Sequence, residues 1–146
     1  VLGSPYRDLR DMPPRMRKWV RNIEQASGMP DLLWEGNPDF QILDEVAPLP
    51  GETVIRKSTN GAFNGSQIDS VLSNMGVKSL IVAGVTTSAC VETTARDAAD
   101  RGYGTLLVAE ALADYDQDLH DATLRAFQLG FGAVADTVAE VAGSLG

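Results

Sequence analysis

The sequence predicts an α/β protein with a mainly parallel sheet covered by helices on both faces, a three-layer α/β/α arrangement. From residue 51 onward, short apolar runs alternate with segments whose apolar residues recur at helical spacing. The runs over residues 80–85 and 104–109 are apolar along their whole length, which is typical of strands buried on both faces. Strands that alternate with helices of about ten residues or more form parallel sheets, because each helix crosses over to the next strand.

Composition narrows the class of protein. A chain of 146 residues, 44% of them hydrophobic, can bury one sizeable core, so we expect residues 1–146 to form a single domain. The formal net charge of −8 argues against nucleic acid or an anionic membrane as the main partner. No apolar run approaches the roughly 18 residues of a membrane-spanning helix. A single cysteine cannot form an internal disulfide, which fits a reducing compartment, and we therefore expect a cytoplasmic protein.

The first 50 residues predict one helix and a long loop. Pro13 and Pro14 open an amphipathic pattern that Gly28 and Pro30 end, and residues 34–50 read as a loop with at most a short helix near residues 42–46. Six basic residues form the one basic patch of the acidic chain here, either as a solvated helix face or as a loop that closes over an anionic or polar substrate. They are Arg7, Arg10, Arg15, Arg17, Lys18 and Arg21.

Strands and helices then alternate to the end of the chain. The predicted strands cover residues 52–57, 80–85, 104–109 and 133–135. The predicted helices are one from Ile68 to Met75 closed by Gly76, one that carries Cys90 and ends near Gly102, one over residues 119–129, and one over residues 137–141.

Cys90, the only cysteine, falls where a predicted strand ends and a helix begins. The positive end of a helix favours the thiolate form of a cysteine, although a small buried core cysteine would fit the same position. Lys57 ends another predicted strand, and ligands bind at the carboxyl ends of parallel strands. An ammonium group on the same edge would favour the thiolate further. His120 follows an acidic turn and is interpreted as structural, so the pattern predicts neither a Cys–His dyad nor a metal site.

Three stretches carry a family resemblance. Residues 84–95 read GVTTSACVETTA, with Asp97-Ala98 and Arg101-Gly102-Tyr103 beyond them, and residues 51–57 and 62–66 read GETVIRK and AFNGS. In this order they resemble the isochorismatase-like cysteine hydrolases over about residues 43–141. The resemblance implies the isochorismatase-like, Rossmann-like fold of that family.

The resemblance also implies roles for individual residues. Cys90 matches the nucleophile and Lys57 the lysine of the catalytic triad, while the backbone N–H groups of Thr86 and Cys90 match the oxyanion hole. A cis peptide bond between Val85 and Thr86 is expected as well. The residues that we expect to contact the substrate are Phe63, Arg7, Trp34 and Thr87.

The third member of the family's triad is an aspartate at the end of its first strand, and no residue of this chain matches it. Asp8 and Asp11 follow the wrong kind of sequence. We expect the strand with that aspartate to precede the present chain. The alternative is a catalytically incomplete member of the family that serves as a binding or scaffolding subunit.

Two features narrow the expected reaction. Cysteine at position 90 points to the amide-hydrolysing branch of the family, and residues 3–8 lack the metal-binding Asp-x-His of its nicotinamidases. The resemblance therefore predicts a hydrolase that cleaves a small amide, carbamoyl or ureido compound through a thioester, without a metal or cofactor. We also expect a homo-oligomer, either a dimer or a tetramer.

Overall fold

The computed structural model describes residues 14–30, 41–57 and 59–144, in two compact units that divide between residues 58 and 59. In the first unit, helix α1 (Pro14–Ser27) confirms the predicted helix, with Val20 only 2% exposed and Gly28 at φ 69° just beyond its end. A glycine adopts this left-handed conformation without steric cost, so the helix stops there. A short 3₁₀ turn (Asp44–Val46) lies within the segment predicted as a short helix.

The strand predicted over residues 52–57 is wrong. The backbone of residues 52–56 forms no regular strand, and Lys57 takes part only in an isolated bridge. Thr53, Val54 and Ile55 are β-branched, but a β-branched run becomes a strand only when a neighbour supplies a continuous hydrogen-bonded ladder. The inference that Lys57 ends a strand of the same sheet as Cys90 therefore loses its structural basis.

The second unit alternates helices and strands, which confirms the predicted α/β fold. Its strands β1, β2 and β3 pair in that order, and both pairings are parallel. The elements are α2 (Ile68–Asn74), β1 (Ser79–Val85), a π-helical turn (Thr87–Val91), α3 (Glu92–Asp100), β2 (Gly104–Ala113), α4 (Gln117–Gly130), β3 (Ala133–Ala135) and α5 (Val138–Ser144).

The core of this unit lies between the sheet and the helices α3 and α4. Its buried members are Val91, Ala95, Leu107, Leu112 and Phe127. Leu107 and its neighbour Val108 are 0% and 3% exposed, and successive residues of a strand point to opposite faces. Strand β2 is therefore buried on both faces, as its apolar run predicts. The same prediction for β1 is wrong: none of its residues is buried, and Ile81 and Val85 are 50% and 66% exposed.

Strand β2 is four residues longer than predicted and changes register along its length. The offset between paired residues rises from 25, where Val82 pairs with Leu107, to 28, where Gly84 pairs with Leu112. Strand β2 thus bulges by three residues opposite the middle of β1. The bulge brings the last residue of β1, Val85, beside Ala113, and Asp114 follows directly at the carboxyl end of β2.

Helix α4 begins two residues earlier than predicted because Asp116 caps it. The carboxylate of Asp116 accepts a hydrogen bond from the N–H of Leu119, three residues further along the chain. This is the usual way in which aspartate satisfies an unpaired N–H at a helix start. Within the described ranges, no helix has the length and apolar character needed to cross a membrane.

Candidate active site

Cys90 lies in the π-helical turn that joins β1 to α3. The N–H of Val91 donates to the carbonyl oxygen of Thr86 at 3.1 Å, five residues back, and the N–H of Ala89 donates to the same oxygen at 3.3 Å. Such single wide turns occur frequently at functional sites. The peptide bond between Val85 and Thr86 is cis, which confirms the expectation from the family resemblance.

The turn places its side chains on two sides. Thr87 and Val91 are 0% and 4% exposed and face the core, whereas Ser88, Ala89 and Cys90 remain half-buried. The thiol of Cys90 is free of any disulfide and partly accessible. Cys90 is therefore not sealed inside the core.

Helix α4 holds the buried side of the turn through His120. Its Nδ1 lies 2.8 Å from the hydroxyl oxygen of Thr87, within hydrogen-bond distance. This contact fits the structural interpretation of His120. The same contact keeps the Thr87 side chain in the interior. It therefore favours a role for Thr87 in holding the turn, and the predicted contact of Thr87 with substrate stays a prediction.

Strand β2 holds the turn through Asp114. One carboxylate oxygen accepts a hydrogen bond from the N–H of Ser88 at 2.6 Å, and the other accepts from the N–H of Tyr115 at 2.8 Å. Partial burial of Asp114 raises the pKa of its carboxyl, but the hydrogen bonds from Ser88 and Tyr115 and the nearby charge of His120 outweigh that effect, so the pKa is lowered overall. Asp114 is therefore a carboxylate at neutral pH.

Thr94 of α3 holds the turn from a third direction. Its hydroxyl donates to the carbonyl oxygen of Cys90 at 2.6 Å and accepts a hydrogen bond from the N–H of Ala62 at 3.1 Å. The loop over residues 59–66 is thereby linked to the backbone of Cys90 itself. Gly61 permits this close packing, because a Cβ there would lie 2.9 Å from the Thr93 methyl group.

Phe63 lies at the other end of α3 from Cys90. It is 7% exposed, with the guanidinium of Arg101 4.9 Å from its ring centroid and the ring of Tyr103 at 6.0 Å. Asp69 accepts hydrogen bonds from both Arg101 and Tyr103, at 3.1 and 3.3 Å. Desolvation and the charge and hydrogen bond of Asp69 raise the pKa of Tyr103. These contacts support a packing role for Phe63, and its contact with substrate stays a prediction.

The other predicted site residues are distributed as follows. Thr86 and Cys90 belong to one turn, so their backbone N–H groups are four residues apart at its two ends. Lys57 is half-buried in the first unit. Arg7 and Trp34 lie outside the described residues.

Sequence reasoning missed Asp114 because it ended the strand at residue 109. With that boundary, Asp114 falls in a loop of acidic residues; with the observed boundary, it directly follows the strand. The available signal was the sequence EALA at residues 110–113, in which three apolar residues follow Glu110 and extend the apolar run to Ala113. Ligand-binding residues of parallel sheets concentrate at this position, so a correct boundary would have singled Asp114 out.

Several curated relatives are more than 30% identical to this chain, among them one from a plant and one from a bacterium. Nicotinamidase 3 of Arabidopsis thaliana is 35% identical over 108 residues, which cover 73% of this chain and 54% of the relative. Maleamate amidohydrolase of Pseudomonas putida is 33% identical over 132 residues, which cover 88% of this chain and 60% of the relative. The chain thus spans little more than half the length of these relatives.

Solved structures show the same fold. The crystal structure of a cysteine hydrolase from Pseudomonas syringae pv. phaseolicola matches with a TM-score of 0.79 and 28% sequence identity, over 96% of this chain and 68% of that one. The profile of the isochorismatase domain matches residues 10–139, which is most of the sequence. The chain therefore belongs to the isochorismatase family.

Proposed function

We propose that this chain carries the nucleophile of an amidohydrolase that cleaves a small amide, carbamoyl or ureido compound. The observation that carries the proposal is the position of Cys90: a half-buried thiol in a turn at the carboxyl end of a parallel strand, fixed by hydrogen bonds from three neighbouring elements. Nucleophiles in covalent catalysis need such fixed geometry as well as access to the substrate. The names of the two relatives, an amidohydrolase and a nicotinamidase, support an amide as substrate.

In the proposed mechanism, the Cys90 thiolate attacks the substrate carbonyl carbon and forms a tetrahedral intermediate. The N–H groups of Thr86 and Cys90 donate hydrogen bonds to the oxyanion, and one such donor typically contributes about 3–4 kcal/mol to the stability of the transition state. The C–N bond then breaks, and the amine leaves with a proton. Water attacks the thioester that remains, which releases the acid and restores the thiol.

The resemblance assigns two further groups to this mechanism. Lys57 would keep the thiolate ionised, a role that rests on its match to the family's triad lysine alone. The proton that the thiol loses and the amine gains would pass through the family's aspartate, for which this chain has no match. The activity is therefore proposed for the full-length protein.

The experiment screens the full-length protein for ammonia or amine release against primary amides, ureido acids and carbamoyl amino acids, with nicotinamide and maleamate included. Cys90→Ala should abolish turnover of any compound that the wild type hydrolyses, because no other thiol is present in residues 1–146. Mass spectrometry of acid-quenched wild type should show the acyl group on the peptide that contains Cys90.

Circular dichroism and the melting temperature serve as controls that the Cys90→Ala protein is folded. A folded variant that keeps more than a few per cent of wild-type turnover would rule out covalent catalysis by Cys90. If the folded wild type turns over no compound of the panel and Cys90 is never acylated, the alternative of a binding or scaffolding subunit is favoured.

A further inference from the structure

We infer that Asp114 is a positioning residue for the Cys90 nucleophile, an inference that rests on the proposed function. Its carboxylate contacts the turn through the backbone N–H and the hydroxyl of Ser88, not through Cys90 itself. Asp114 would act by fixing the pitch of the turn, and through it the direction of the Cys90 side chain and the two oxyanion N–H groups.

The contact lies in the middle of the turn, between the hydrogen bonds that hold its two ends. Thr86 and Val91 close the wide turn, and Thr94 holds the carbonyl of Cys90 at its far end. Ser88 lies between them, and its N–H is directed at Asp114 Oδ2 at 2.6 Å. A hydrogen bond to a charged acceptor is shorter and about twice as strong as one between neutral groups.

The contact between Asp114 and Ser88 depends on the bulge in strand β2. Without the change of register, Val85 would pair with Glu110, and Asp114 would lie well past the end of β1. The three-residue bulge in β2 instead sets Ala113 beside Val85 and delivers Asp114 to the first residues of the turn. Bulges next to active sites characteristically redirect one side chain.

A second hydrogen bond on Asp114 fixes the carboxylate itself. The N–H of Tyr115 donates to Oδ1, which orients the group so that Oδ2 faces Ser88. The Ser88 hydroxyl contributes to the lowered pKa of Asp114 as well. The carboxylate is thus held on one side by its own chain and on the other by the nucleophile turn.

Strand β2 offers a matched control. Glu110 is four residues before Asp114, and its carboxylate also accepts a backbone N–H at the start of a helix, that of Val138 in α5 at 2.9 Å. The two contacts are alike in kind, but only that of Asp114 involves the turn with Cys90. A loss of stability common to both variants can therefore be separated from an effect on the nucleophile.

The test compares Asp114→Ala, Asp114→Asn and Glu110→Ala in the full-length protein. Asp114→Ala should lower kcat by about 10- to 100-fold with little change in KM, because small misplacements of a reacting group cost rates of this order. Asp114→Asn keeps an oxygen acceptor for Ser88 but sets its NH2 group against the N–H of Tyr115, so its kcat should lie between those of Asp114→Ala and the wild type. Glu110→Ala should keep the wild-type kcat even where it lowers the melting temperature.

Equal values of kcat for Asp114→Ala and Glu110→Ala would overturn the positioning role, and so would an Asn variant as slow as the Ala variant. Cys90→Ala, assayed in parallel, separates the two proposals: if it stays active, the proposed function fails, whereas an inactive Cys90→Ala with an unaffected Asp114→Ala overturns only this inference.

Alkylation of Cys90 by iodoacetamide, measured well below the melting temperature, gives a readout that needs no substrate. Asp114→Ala should react faster than both the wild type and Glu110→Ala, because a loosened turn exposes the thiol. Identical alkylation rates in all three proteins would also contradict the inference.

Discussion

The carboxylate of Asp114 makes the stability of the second unit depend on pH. Its hydrogen bonds exist only in the folded protein, and they lower the pKa of the carboxyl below its ordinary value despite the opposing effect of burial. A group with a lowered folded-state pKa binds its proton more weakly when folded, so it stabilises the fold when it is ionised. This contribution is present above the unfolded-state pKa, about 3.9 for aspartate, and disappears as the pH falls through the folded-state pKa.

The pH dependence gives a prediction for single residues. Asp114→Asn should lower the free energy of unfolding at pH 7, and the difference from the wild type should shrink as the pH falls below about 4. Urea unfolding of both proteins between pH 3 and pH 7 measures this difference. A difference that stays constant over this range would mean that the ionised carboxylate contributes nothing to stability.

At the scale of elements, the turn between α4 and β3 shows how closely the backbone packs. Gly132 lies against strand β2: a Cβ at this position would be 2.3 Å from the carbonyl oxygen of Thr105 and 2.8 Å from the ring of Phe127. Gly130, the last residue of α4, has no atom within 4 Å of the corresponding position. The two glycines are two residues apart but differ in the space around them, and Gly130 is helical whereas Gly132 is not.

We therefore predict opposite outcomes for the two alanine substitutions. Gly132→Ala should destabilise the protein by about 1–3 kcal/mol or more, because a backbone oxygen cannot move aside as a flexible side chain can. Gly130→Ala should be neutral or stabilise it by up to about 1 kcal/mol through helix propensity. Chemical denaturation measures both values, and comparable destabilisation by the two variants would show that the close approach to Thr105 is not maintained.

The elements also show which parts of the fold the sequence could predict. Helices α1, α2 and α4 and strands β1 and β3 appear close to their predicted bounds, since apolar spacing and terminal glycines are local signals. The predicted strand over residues 52–57 failed, and β2 proved longer than predicted, because strand length depends on neighbours that local sequence does not specify.

In the candidate site, too, some features could be predicted from the sequence and others could not. Cys90 and the cis bond before Thr86 follow from a contiguous motif, so the family resemblance could indicate them. Asp114 and Thr94 act through contacts with residues 26 and 4 positions away, respectively. The first of these contacts depends on the register of β1 and β2, and no sequence pattern fixed that register.

At the scale of the whole molecule, the buried core of the second unit is built around Leu107 and Phe127. Phe127 is among its largest fully buried side chains, and its ring stacks on Phe131 at a centroid distance of 6.1 Å. The guanidinium of Arg96 lies 4.3 Å from the centroid of the Phe131 ring and is paired with Glu92 on the same helix. This ion pair covers the core at Phe131. Cytoplasmic localisation and the homo-oligomer stay predictions, which fractionation and light scattering of the full-length protein can test.

Truncation of this core residue should have a large effect. Phe127→Ala should lower the free energy of unfolding by about 3–5 kcal/mol, the usual cost of removing a buried aromatic ring. Leu129→Ala, on the same helix at a position 90% exposed, is the control and should change it by less than about 0.5 kcal/mol. Guanidinium titration distinguishes the two; a Phe127 variant as stable as the control would mean that another arrangement of side chains fills the core.

The bulge divides strand β2 into two parts that pair with β1 in different registers. Before it, residues 105–108 keep the register that packs the core between β1 and β3; after it, Leu112 and Ala113 follow a register that serves the turn. Substitutions at residues 105–107 should change the packing of the core with little effect on the turn, whereas a substitution of Leu112 should affect both, because Leu112 follows the bulge and is also a core residue.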